Sequence, residues 1–117
     1  MPKTYARTDR VSAQLRRDLG ELVHAVVRDN GLPSCSVSDV EVTRDLAHAK
    51  VYVTVLDSAR ATEAMTGLKE LAREMRYELG HRLRMRSVPE LHFNYDDSLD
   101  RGERIDQLLR GVDASNA

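Results

Sequence analysis

VEVTRDLAHAKVYVTVLD, residues 40–57, holds two alternating apolar runs joined by eight mostly polar or small residues, with neither glycine nor proline among them. Val37, Val40 and Val42 bring in extended chain, and Val51, Val53 and Val55 alternate with Tyr52, Thr54 and Leu56, so the stretch reads as an antiparallel hairpin. Short hairpins place Gly or Asn where the backbone needs positive φ. A joint without them is either longer than the minimum or used for a contact. Two strands alone are not stable in water and need a helix against one face.

The flanks supply helices. Upstream, Val11, Leu15, Leu19, Leu22, Val23, Val26 and Val27 recur at helical steps. They predict a helix from about Asp9 to Asp29, capped by Thr8 or Asp9 and stopped by Asn30-Gly31 and Pro33. Its far side, with Arg10, Arg17, Glu21 and Arg28, reads as a solvated face. Downstream, Ala61, Ala64, Met65, Leu68, Leu71, Ala72, Met75, Leu79 and Leu83 share one side of a helical stretch opened by Ser58. Its apolar phase runs unbroken from Leu68 to Leu83, which predicts one continuous helix, bent at most near Gly80. Pro89 ends it, because the residue before a proline is pushed toward extended geometry.

ELHFNYD (90–96) then alternates, with Leu91, Phe93 and Tyr95 on one face and His92, Asn94 and Asp96 on the other, as a third strand. Asp97 or Ser98 can cap a last short helix through Ile105, Leu108 and Leu109. The expected fold is α+β, helix-strand-strand-helix-strand plus a short C-terminal helix, with a three-stranded sheet covered by helices on one face. Residues 1–112 are expected to form a single domain and 113–117 a disordered tail.

With 117 residues, 41% of them hydrophobic, the chain has enough for one core and too little for two. It has no run of 18 apolar residues and no leader-like apolar segment near Met1, which predicts no membrane span. The single Cys35 excludes an internal disulfide and fits a reducing, cytoplasmic setting. No phosphate-binding glycine loop, nucleophile elbow or zinc-protease motif occurs, so nothing supports an enzyme or a cofactor. His92, Asn94 and Asp96 share a face at a spacing that can ligate metal. No second cluster completes the shell locally, and we assign them to the polar face of a half-buried strand, with no metal.

The net charge of −1 conceals polarity. Lys3, Arg7, Arg10, Arg16 and Arg17 face only Asp9 in the first 17 residues. Arg73, Arg76, Arg82, Arg84 and Arg86 outnumber Glu74 and Glu78, whereas residues 87–106 are acidic. On the long helix Lys69, Arg73, Arg76 and Arg84 fall on one flank of the apolar stripe, with Gly80 among them, and Glu63, Glu70, Glu74 and Glu78 on the other. Segregated sign favours a polyanion over i,i+4 lacing for solubility. Guanidinium groups suit phosphate because each offers a planar donor fork and stays ionised. Of the aromatics, only Tyr52 is placed to stack bases on an open sheet face, so contacts to the phosphate backbone are the expected mode.

TRDLAHAKVYVTV (43–55) and RLRMRSVPELHFNYDDSL (82–99) resemble the ribosome-binding factor A family, and RTDRVSAQLRRDLGELV (7–23) resembles its first helix. The resemblance implies a type II KH-like domain without the GxxG loop, acting without catalysis. It also implies binding to the free 30S subunit and its 16S rRNA, a role in late maturation and 5′-end processing of that rRNA, and importance in the cold. The family's A-x-G element, which kinks the two helices before the last strand, is replaced by Leu71-Ala72-Arg73. The expected RNA-binding residues are Lys69, Arg73, Arg76, Arg82, Arg84, Arg86, Arg44 and Lys50. Arg7, Arg10, Arg16 and Arg17 form a second basic face. A monomer is expected, with no small-molecule substrate. The alternative is a protein-interaction module that docks on ribosomal proteins or an assembly GTPase through its acidic C-terminal side.

Overall fold

The first helix outruns its expected start: α1 spans Pro2–Asn30. Proline is tolerated in a first turn, where its missing N–H has no intrahelical partner to lose. The helix ends as the sequence predicts. Gly31 takes φ +62° and the Leu32 N–H reaches back to the Val27 carbonyl at 3.0 Å, the two signatures of a Schellman stop. The structure is a computed structural model that describes residues 2–83 and 87–97, and the side chains of residues 2–7 are not among those described.

Strands β1 (Cys35–Val42) and β2 (His48–Val55) pair antiparallel, and β3 (Glu90–Tyr95) pairs parallel with β2, giving the order β1-β2-β3. A parallel neighbour needs a crossover. Here it is a short 3₁₀ turn (Ser58–Arg60) followed by α2 (Ala61–Glu70) and α3 (Ala72–Arg82). All helices lie on one face, α1 against β1, and α2 and α3 against β3. This is the α+β, type II KH-like arrangement of helix, strand, strand, helix, helix, strand. The expected C-terminal helix and the tail at 113–117 lie outside the described residues.

Central β2 decides the inside. Ala49, Val51, Val53 and Val55 are buried, facing Leu15, Leu19, Leu22 and Val23 of α1 and Ala64, Met65, Leu68, Met75 and Leu79 of the crossover. Leu91 and Phe93 complete this layer. Each such aliphatic side chain contributes about 1.5 to 3 kcal/mol on leaving water. On β1 the inward residues Val37 and Val40 are three apart, because Ser38 is an extra residue in a β-bulge between the Val37–Val53 and Asp39–Tyr52 pairs.

The continuous long helix is not what forms. The helix breaks at Leu71, with φ −95° and ψ 3°, where the family's A-x-G element would begin. The Leu71 N–H is shared between the Gly67 and Leu68 carbonyls at 3.2 Å each, and Met75 resumes the ladder on the Leu71 carbonyl. No glycine or proline marks the break; tertiary contacts flank it. Before it, α2 comes so close to Leu32 that a Cβ on Gly67 would lie 2.5 Å from a Leu32 methyl. After it, the Arg76 guanidinium donates twice to the Val88 carbonyl, at 2.8 and 3.0 Å. Each half keeps its apolar residues on the sheet, so the sequence period shows no phase break.

Candidate nucleic-acid interface

The β1–β2 joint is five residues, Thr43–Ala47, shorter than the alternation alone implies, because His48–Lys50 already belong to β2. The positive φ that the tight joint requires is present, and Leu46 supplies it at φ +60°. Among the described residues it is the only non-glycine with positive φ. The Leu46 N–H closes a turn on the Thr43 carbonyl at 2.9 Å. Asp45 holds the turn as expected of an Asx turn, its Oδ1 accepting from the Ala47 N–H at 3.0 Å and from the Thr43 hydroxyl at 2.7 Å. These bonds, the Thr43 hydroxyl first, hold its carboxyl below the usual carboxylate range. Ala49 is buried and Leu46 is half-buried.

This joint, the chain leading into β3 and helix α3 meet at one end of the sheet. The Glu90 N–H donates to the Ala47 carbonyl at 2.8 Å, and the Val88 carbonyl is held by Arg76. Beside that clamp, Arg73, Arg76, Tyr77, Gly80, His81 and Val88 line an open hollow of about 450 Å³. Tyr77 is 70% exposed and meets the His81 ring edge-on at 4.7 Å. A Cβ on Gly80 would touch Val88 at an ordinary 3.7 Å, so packing does not require glycine there.

The expected basic residues therefore divide. Lys69 and Arg73 are exposed on α2 and α3, and no side-chain partner is described for either. Arg76 is tied to the Val88 carbonyl and serves the fold as much as the surface. Arg82 leans toward Glu21 of α1 at 3.4 Å. Arg84 and Arg86 lie outside the described residues. Arg44 sits on the joint next to the start of β3, whereas Lys50 faces the opposite, open side of the sheet, in register with Glu41 and His92. In the second basic group, Arg16 and Arg17 line the groove between α1 and β1 with Gly20 and Glu21, Arg17 donating to the Gln14 side chain at 2.6 Å. Arg10 is exposed outside that groove, and the Arg7 side chain is not among those described.

Sequence reasoning missed Tyr77 and His81, although i,i+4 spacing beside Arg73 and Arg76 is a legible signal for a ring pair on a basic flank. Tyr52 does lie on the open face, half-buried, with its hydroxyl 3.5 Å from Glu41. His92, Asn94 and Asp96 do not converge: Asn94 turns back to the His92 carbonyl and Asp96 accepts from Ser38 at 2.7 Å across β2.

The sequence model of one family, ribosome-binding factor A, matches residues 7–109. The chain belongs to the ribosome-binding factor A family. It is 67% identical over 111 residues to the ribosome-binding factor A of Xanthomonas axonopodis pv. citri (strain 306), covering 95% of this chain and 85% of that one. The crystal structure of ribosome-binding factor A from Thermus thermophilus superposes with a TM-score of 0.68 at 30% identity, over 75% of this chain and 93% of that one. A homology model of the Thermus thermophilus factor, fitted into a cryo-EM map of its 30S complex, superposes at 0.64 and 30% identity, over 74% and 91%. Ribosome-binding factor A thus accounts for the fold as well as the sequence. No helix among the described residues is long and apolar enough to cross a membrane.

Proposed function

We propose that this chain is a non-catalytic assembly factor that binds the free 30S subunit in the cytoplasm, gripping 16S rRNA through α3 and its flanks. The observation that carries this reading is the basic hollow on α3, in a family whose Thermus thermophilus member is placed in a 30S complex. Lys69 and Arg73 offer charge not engaged within the described structure, Tyr77 and His81 offer ring faces, and Gly80 leaves room for a phosphate or ribose to approach. Arg44 extends the surface along the same end of the sheet, and Arg84 and Arg86 are assigned to it from sequence. The chain acts as a monomer, supporting late maturation and 5′-end processing of the rRNA, with its greatest effect in the cold.

The open sheet face supports this polarity, since Asp39, Glu41 and Glu90 outnumber Lys50 there and repel phosphate. RNA is therefore met by the helices. The test is binding to purified 30S subunits across a salt series. The negative slope of log K against log salt should become shallower by about 0.7 to 0.9 for each phosphate that Lys69→Ala or Arg73→Ala leaves without its cation. An affinity and slope untouched by both substitutions would overturn the reading and favour docking on a ribosomal protein or an assembly GTPase through the acidic side.

A further inference from the structure

At the start of β3, two imidazoles and a carboxylate converge on the open sheet face. His48 opens β2, Glu90 stands opposite it in the parallel register, and His92 follows two residues later on the same face. His48 Nδ1 lies 3.0 Å from His92 Nε2 and 3.8 Å from a Glu90 carboxylate oxygen, and the three ligand atoms all fall within 4.8 Å of one another. The rings are tilted 39° with centroids 5.1 Å apart, so they are not stacked and their nitrogens point toward a shared space.

We propose that His48, Glu90 and His92 form a binding site for a first-row divalent metal ion, zinc foremost. Metal-to-nitrogen bonds of about 2.0 to 2.1 Å place two ligating nitrogens about 2.9 Å apart in cis octahedral geometry and about 3.3 to 3.4 Å apart in a tetrahedron. The His48–His92 separation of 3.0 Å falls in that window, and a modest turn of the exposed Glu90 side chain closes its longer gap. Two imidazoles and one carboxylate suit zinc, nickel or copper rather than magnesium or calcium, which prefer all-oxygen shells. The ligands stand on paired strands rather than on a loop, fixed by the β2–β3 ladder and the Glu90-to-Ala47 hydrogen bond, so little order has to be imposed on binding. Three protein ligands at the surface leave further positions to water. A bound ion also bridges β2 to β3, the pair that holds the crossover.

The rival account is a hydrogen bond between the two imidazoles and nothing more, and it makes the opposite prediction. Zinc chloride titrated into the metal-free full chain by calorimetry should saturate at one equivalent. His48→Asn and His92→Asn should each weaken binding by about tenfold or more. His24→Asn and His81→Asn, remote from the cluster, should leave it unchanged. Zinc should raise the Tm of the wild type and not that of the His48→Asn/His92→Asn double variant, since only a ligand of the folded state stabilises it. Should a variant fail to fold, nitrogen NMR of the wild-type imidazoles decides: zinc must shift His48 Nδ1 and His92 Nε2. No saturable binding, binding retained in full by the double variant, or shifts confined to His24 or His81 would overturn the site.

Discussion

Leu46 takes a backbone conformation that costs an L-residue about 1 to 2 kcal/mol, because its Cβ crowds the neighbouring carbonyl. The turn holds it there through the Thr43 carbonyl, the Asp45 carboxylate and the ladder on both sides. Leu46→Ile keeps the side-chain volume while adding a β-branch that positive φ tolerates least, and should lower unfolding free energy by about 1 to 2 kcal/mol. Leu46→Gly removes the strain but loses half-buried apolar surface and frees the unfolded chain, so it should stay within about 1 kcal/mol of wild type. Urea midpoints separate the two, and an Ile variant as stable as the Gly variant would show that the turn stores no strain. Asp45 adds a pH signature. Its folded-state affinity for a proton is depressed, so its stabilisation is complete above the unfolded carboxylate pKa of about 3.9 and is lost as pH falls through the folded value. Compared in a His48→Asn background, which removes the imidazole whose charge also acts on Asp45, the stability difference between Asp45 and Asp45→Asn should be flat at neutral pH and change only on acidification. A difference that varies between about pH 6 and 8, well above any carboxylate titration, would contradict this origin.

At the scale of elements, two glycines of the crossover test which contacts shape it. Glycine costs a helix interior about 1 kcal/mol relative to alanine. Gly80→Ala meets only Val88 at an ordinary distance and should gain about 0.5 to 1 kcal/mol. Gly67→Ala drives a Cβ into Leu32, and the overpacking of about 1 to 3 kcal/mol should exceed the helix gain. Leu32→Ala in the same chain should relieve the clash, so the two losses do not add. Thermal unfolding of these variants reads this directly, and additive losses would deny that the close approach matters. These contacts also explain what the sequence showed and what it hid. Strand alternation at Val51–Val55 and Leu91–Phe93 and the Gly31 stop follow from local chemistry and were legible. The break at Leu71 is flanked by contacts to Leu32 and Val88, distant in sequence, and an apolar period preserved through it leaves no local trace. The bulge at Ser38 did leave one, the three-residue step from Val37 to Val40. In the interface, the basic flank could be read from the helix wheel, but the engagement of Arg76 by a carbonyl and of Arg82 by Glu21 required the fold.

At the scale of the molecule, the open sheet face carries more carboxylates than cations, and α3 divides its own charge: Arg73 lies on the basic flank, whereas Arg82, nine residues on and half a turn round the helix, lies on the flank of Glu74 and Glu78 and turns toward α1. There Glu21 of α1 is the carboxylate that pairs with it. Its pairing with Arg82 at 3.4 Å is exposed, with 77% of the Glu21 side chain accessible, so it contributes little to stability. For RNA it is a competitor, because Arg82 has to leave Glu21 to reach a phosphate and the carboxylate repels that phosphate as well. Glu21→Ala should therefore leave the urea midpoint nearly unchanged while tightening 30S binding a fewfold. The salt slope should steepen by up to about 0.9 if Arg82 neutralises one further phosphate. The gain must pass through the arginine: in Arg82→Ala, adding Glu21→Ala should recover only the part due to relieved repulsion, and the coupling between the two positions measures the rest. An affinity that falls on removing Glu21 would place the subunit on another side of the protein, since no phosphate seated beside Arg82 benefits from a neighbouring carboxylate.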